Sequence, residues 1–166
     1  IEKYAIKSSD IVFDPFMGSG GVLVESMLHG NNSVGIDLNP FAVLLATVKT
    51  TPLDAAKLET TFNQIILDSK KDKKNKIEYD NAPNFLPKKP KEKTLKFWYQ
   101  NDTLRDLQIL KNHVFLTKDK KTRDFFKICF SLATRKVSFQ KNSIYKIYRM
   151  KPDKRELFKP NVLDEF

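Results

Sequence analysis

The stretch Asp14-Pro15-Phe16-Met17-Gly18-Ser19-Gly20-Gly21 follows the apolar run Ile11-Val12-Phe13 and decides how the rest of the chain is read. The chain holds only five glycines, and three of them fall within positions 18–21. A short buried strand that ends in a glycine turn and opens a helix is the start of a parallel α/β unit. Working outward, residues 10–14 read as the strand, residues 22–29 as the helix, and Gly30 as the residue that ends it. Residues 33–37 (SVGID) read as a second strand. Asn39 and Pro40 then supply an N-cap with proline in the first turn for a second helix, FAVLLATVK.

Asp54 is placed to cap a third helix with Ala55, Leu58, Phe62 and Ile65 on one face, and this helix is expected to dissolve in the run SKKDKKNK. Residues 68–97, rich in lysine and proline, read as an exposed loop or insertion. Thr103-Leu104-Arg105-Asp106 looks like a capping box ahead of Leu107, Leu110 and Val114. A further helix spans about 122–137, apolar nearly all round, with Phe125, Cys129 and Leu132 on one side and Phe126, Phe130 and Ala133 on another. SIYKIYRM, residues 143–150, has the pattern of a strand. The expected organisation is a βαβα unit over 1–67, a basic loop over 68–97, and a mainly helical basic region over 98–166.

Charge is unevenly distributed over the 166 residues, whose net charge is +10. Residues 1–67 hold four Lys/Arg against seven Asp/Glu, whereas residues 68–166 hold 26 against 13. A half that basic points to a polyanion, most often nucleic acid, against the alternative of a solvated lysine-rich surface. No stretch is apolar and long enough to span a bilayer. The first residues carry charges where the apolar part of a signal peptide would lie, and the single Cys129 suits a reducing compartment; a cytoplasmic location is expected. The two histidines, His29 and His113, stand apart without metal-site spacing, so no metal is expected.

In an open parallel sheet, ligands bind at the carboxyl ends of the strands, which is where the glycine turn lies. Counted from Gly18, a dinucleotide fingerprint would put its third glycine at Leu23. No Gly-Lys-Ser/Thr follows, so a Walker A loop is excluded. Asp14 at the strand tip disfavours a pyrophosphate and suits a cationic ligand. Asp37, at the end of the second strand, can accept from two ribose hydroxyls.

Together, DPFMGSGG, VLVESMLHG and VGIDLNPFAVLLATVKT resemble the S-adenosylmethionine-binding region of DNA amino-methyltransferases, densely over residues 10–52. FWYQNDTLRDLQILKNHV and RDFFKICFSLATRKVSF look like connecting helices of one branch of these enzymes. Gly21 stands where the family usually has a threonine. The resemblance implies a partial methyltransferase-like (Rossmann-like) parallel sheet followed by the helical basic region. It implies S-adenosylmethionine as cofactor, with Asp14, Phe16, Gly18 and Gly20 around its methionine part, Asp37 at the ribose, and Leu38 and Pro40 near the adenine. It further implies methyl transfer to the exocyclic amine of adenine or cytosine in DNA, in a restriction–modification system with an endonuclease partner. RNA base methyltransferases with a similar loop, and a non-catalytic nucleic-acid-binding remnant of the fold, are the alternatives. Ser138, Lys146 and Arg149 are candidate phosphate contacts, while Trp98 and Tyr99 are candidates for base stacking or for core packing.

The family's second motif, a polar residue followed by Pro-Pro and an aromatic, orients the target amine. No Pro-Pro pair occurs among the 166 residues, and the chain opens on Ile1 rather than Met. A fragment that lacks its catalytic residues is therefore expected.

Overall fold

The computed structural model describes residues 7, 9–77, 92–140 and 148–166. It divides into two compact units, residues 1–54 and 55–166.

In the first unit the apolar triplet forms strand β1 (Ile11–Asp14) and the glycine turn leads into helix α1 (Gly21–Leu28). Gly30, at φ +77°, takes the left-handed conformation that ends a helix at little cost to glycine. Strand β2 (Asn32–Gly35) then pairs with β1 in parallel, Ile11 opposite Asn32 and Asp14 opposite Gly35. Helix α2 (Pro40–Lys49) begins as its sequence requires: the Asn39 side chain accepts from the Phe41 N–H at 3.0 Å, and Pro40 occupies the first turn. Asn31 ties the start of β1 to the end of α1, its side-chain amide donating to the carbonyls of Lys7 and Asp10. One face of the two-stranded sheet carries Ile11, Phe13, Val34 and Ile36, all more than half exposed; α1 packs on both strands.

The second unit is helical. Helix α3 (Ala55–Lys74) runs through the lysine-rich stretch in which it was expected to dissolve. The reason is a continued stripe: Ile65, Ser69 and Asp72 lie at i, i+4 and i+7 and all three are buried. Asp72 meets His113 at 2.6 Å, and Lys73 pairs with Asp106. The last-turn lysines Lys71, Lys73 and Lys74 also suit the negative end of the helix dipole. Because α3 packs on the helices that follow it, the second unit starts at Ala55, ahead of the expected boundary at 67/68. Of the expected basic loop, residues 78–91 lie outside the described residues.

Helix α4 (Glu92–Trp98) precedes α5 (Asn101–Leu116), which starts ahead of the expected capping box and leaves Thr103 buried inside the helix. Gln100 takes the N-cap position, but its side-chain amide donates elsewhere, to the carbonyls of Arg155 and Phe158. Helix α6 (Lys120–Lys136) is capped by Asp119, which accepts from the Thr122 N–H at 2.9 Å and the Thr122 hydroxyl at 2.7 Å. A short helix α7 (Pro152–Leu157) follows.

The core of this unit joins Ile65, Leu107, Leu110, Val114, Phe126, Val137 and Val162, with Phe125, Cys129, Phe130 and Tyr99 packed against it. Leu132, expected on a packed face of α6, is exposed, so that face ends at Cys129. Of the expected strand over 143–150, residues 143–147 lie outside the described residues; Arg149 forms an isolated antiparallel bridge with Gln140.

Candidate functional site

At the carboxyl end of the two strands, the glycine turn and the exit of β2 are laced together by backbone and carboxylate. The Ile36 N–H donates to the Asp14 carbonyl at 2.9 Å, and the Met17 N–H donates to the Ile36 carbonyl at 3.1 Å. The Asp37 carboxylate closes the junction, one oxygen accepting from the Gly18 N–H at 2.9 Å and the other from the Asn39 N–H at 2.8 Å. A carboxylate that accepts backbone N–H bonds is fixed in direction, and each of its oxygens retains a second lone pair. Asp14 behaves similarly on its own loop, with Oδ1 accepting from the Phe16 N–H at 3.0 Å. Both carboxylates are half-buried.

The glycines divide the work. Gly18 has φ +50°, and a β-carbon there would meet nothing within 4 Å, so it faces open space beside Asp37. Gly20 has φ +78°, and its β-carbon would lie 2.6 Å from the β-carbon of Ala46 on α2. The expected reason for a glycine at 20, ligand approach, gives way to close helix packing: Gly20 lets α1 and α2 meet. Gly35 is a second tight point, where a β-carbon would meet the Met17 sulfur at 2.5 Å and both Leu23 methyls at 2.9 Å. Gly21 contacts nothing at its β position, and no side chain caps α1.

Around this junction stand apolar side chains that cover nothing. Phe16 is 88% exposed and Leu38 fully so, while Pro40 is also exposed. Two residues not singled out from sequence also shape the turn. Met17 is buried beneath it, and Lys49 reaches back from the end of α2 to donate to the Ser19 carbonyl at 3.0 Å. An apolar residue inside a glycine turn was the available signal for Met17; nothing in the sequence connects Lys49 to position 19.

The remaining candidates lie in the second unit. Ser138 is buried, donating to the Arg135 carbonyl at 2.7 Å and accepting from the Gln140 N–H at 3.2 Å, so its hydroxyl is spent on the end of α6 rather than held out to a phosphate. Lys146 lies outside the described residues. Arg149 is half-buried over the Phe97 ring, 3.9 Å from its centroid. Tyr99 packs on the core, where burial pushes its hydroxyl above the usual tyrosine range against an opposing hydrogen bond from Thr134. Burial likewise raises the Cys129 thiol, which packs against the core. Among the described residues no three of His, Cys, Asp and Glu come together as a metal site. No helix among them is long and apolar enough to cross a membrane.

Residues 1–49, from the start of the chain to the end of α2, match the family described as DNA methylase. The chain is 35% identical over 157 residues to the Type II methyltransferase M.MvaI of Kocuria varians, a match covering 93% of this chain and 34% of that protein. The chain is similar to DNA amino-methyltransferases. It is also 46% identical over 66 residues to the Type II methyltransferase M.MjaII of Methanocaldococcus jannaschii, covering 40% of this chain and 12% of that one. The chain thus spans about a third of the first relative's length and less of the second's. Matched DNA methyltransferases take their methyl group from S-adenosylmethionine. No solved structure shows a significant match. The match to M.MvaI covers the sheet unit and the helical unit alike, as the two resembling stretches of sequence implied.

Proposed function

We propose that this chain is the S-adenosylmethionine-binding part of a DNA amino-methyltransferase, with a Rossmann-like arrangement around its two parallel strands. The observation that carries the reading is the Asp14–Gly18–Asp37 junction: two fixed carboxylates beside a glycine that faces open space. When bound, S-adenosylmethionine supplies an electrophilic methyl group on a sulfonium. Asp14 is suited to the cationic methionine part. Its Oδ2 makes no hydrogen bond among the described residues, and its negative charge favours an ammonium or sulfonium. Asp37, oriented by Gly18 and Asn39, accepts from the ribose hydroxyls through its remaining lone pairs. Phe16, Leu38 and Pro40 supply apolar surface at the methionine and adenine ends. Gly20 acts one step back, fixing where α1 begins.

In the same proposal the target is the exocyclic amine of adenine or cytosine in DNA, and the protein works beside a restriction endonuclease. The family resemblance supports both. The residues of the glycine junction bind and orient the cofactor, and the sequence holds no Pro-Pro-aromatic motif to orient a target amine. Positioning of two reactants contributes on the order of 7–11 kcal/mol to lowering a barrier. This chain alone is therefore expected to bind the cofactor without methylating DNA. Ultraviolet labelling with methyl-labelled S-adenosylmethionine tests the reading. Labelling that the demethylated product displaces and a nicotinamide dinucleotide does not is the expected result. Absence of labelling, or equal displacement by both, would overturn it.

A further inference from the structure

Three segments of the helical unit converge where α4 ends, α6 has ended and α7 begins. The Phe139 N–H donates to the Trp98 carbonyl at 2.8 Å, and the Met150 N–H donates to the Phe139 carbonyl at 2.7 Å. Gln140 bridges to Arg149, and Gln100 holds the carbonyls of Arg155 and Phe158. These bonds bring two arginines onto two aromatic rings. The Arg149 guanidinium lies 3.9 Å from the centroid of Phe97 and 5.5 Å from that of Phe139, and Arg155 lies 5.8 Å from the Phe139 centroid.

A guanidinium carries all its N–H donors in its plane, so a ring stacked on its face satisfies none of them. The ε nitrogens of Arg149 and Arg155 are both buried without a hydrogen-bond partner. Neither guanidinium forms a salt bridge among the described residues, although α7 also carries Asp153 and Glu156. Burial, and then the neighbouring charge of Arg155, push Arg149 below the ordinary arginine range. The ε nitrogens are closed off against the rings, but both residues are partly exposed and neither guanidinium makes a hydrogen bond among the described residues, so the terminal nitrogens are the donors left for an anion that enters from outside. Two guanidinium forks match the oxygens of one phosphate. Around them the charge favours a polyanion over a free ion: residues 55–166 hold 27 Lys/Arg against 14 Asp/Glu, and Lys151 and Lys154 stand exposed beside the pair.

We propose that Arg149 and Arg155 together grip one phosphate of a DNA backbone, a contact that rests on the DNA reading above and adds the residues that anchor the duplex to this unit. Such a contact positions without reading sequence, so its loss weakens binding to every duplex alike.

The test is fluorescence anisotropy of a short labelled duplex with the 166-residue chain, titrated between about 50 and 200 mM salt. Arg149→Gln and Arg155→Gln are each expected to weaken binding several-fold. The double variant is expected to flatten the slope of log K against log salt by about 1. Arg149→Lys, which keeps the charge and loses the fork, should lower affinity while leaving the slope in place, and it carries the test if the glutamine variants fail to fold. Inorganic phosphate should compete only weakly; competition at equal phosphate concentration would reassign the pair to a free-anion site. A double variant with wild-type affinity and slope would remove the phosphate grip and leave the DNA reading standing. A wild-type chain that binds no duplex at any salt would overturn both, whereas the cofactor labelling above reports on the glycine junction independently.

Discussion

Gly18 and Gly20 are two residues apart and both have positive φ, yet their neighbours give them different work. At Gly20 any side chain pays twice, for the left-handed backbone and for the overlap with Ala46 at 2.6 Å. Backbone strain of about 1–2 kcal/mol and overpacking of about 1–3 kcal/mol set the expected cost of Gly20→Ala, read from urea denaturation of the chain. Gly18→Ala carries the backbone strain alone. A smaller loss of stability at 18 than at 20 is the expected order, and the reverse order would contradict the division of roles. Gly21→Thr should be stabilising by roughly a few tenths of a kcal/mol, since the position is open and threonine has a better helix propensity than glycine. At this scale the sequence was informative about chemistry and poor about partners. Asp14 could be read from its place at the end of β1, whereas Asp37, expected at the end of the second strand, lies two residues beyond β2. The bond from Gly18 to Asp37 could not be read, because it spans 19 positions and exists only once the strands pair.

Helix α6 shows how an element depends on its N-cap residue. Asp119 is held down to about 2, chiefly by the Thr122 hydroxyl and N–H and then by Lys57. A carboxyl depressed in the folded state contributes stability that is complete above its unfolded value of 3.8 and is lost as pH falls toward about 2. Asp119→Ala is therefore expected to lower the melting temperature at neutral pH and to leave it closer to wild type at pH 2. Thermal melts at both pH values check this, and an equal deficit at both would assign the loss to something other than the charged cap. In the core, Leu110 is wholly buried, and Leu110→Ala should cost about 2–5 kcal/mol. Elements with local signals were legible: β1, the Asn39-Pro40 start of α2 and the Gly30 stop all follow from residues within a turn of the boundary. The continuation of α3 was not, because Ser69 and Asp72 look like surface residues until α5 supplies His113 beside them. Asp119 was likewise passed over in favour of Thr122, which lies inside the first turn.

Over the whole molecule, charge and chemistry are segregated. Residues 1–54 hold three Lys/Arg against six Asp/Glu and carry the glycine junction, while the positive excess belongs entirely to residues 55–166. This asymmetry was visible in composition. The arginine pair on Phe97 and Phe139 was only half visible: Arg149 stood out as a basic residue near the end of the chain, and Arg155 joins it through contacts between distant segments. The account predicts a division of labour in which cofactor binding survives substitution of both arginines and duplex binding survives loss of Asp37. The most direct test of its central claim is calorimetric titration of the chain and of Asp37→Ala with the demethylated cofactor product. Binding at one site by the wild-type chain, weakened by roughly 1–3 kcal/mol in Asp37→Ala, is the predicted result. Absence of binding by the folded wild-type chain, or an affinity unchanged in Asp37→Ala, would contradict the account.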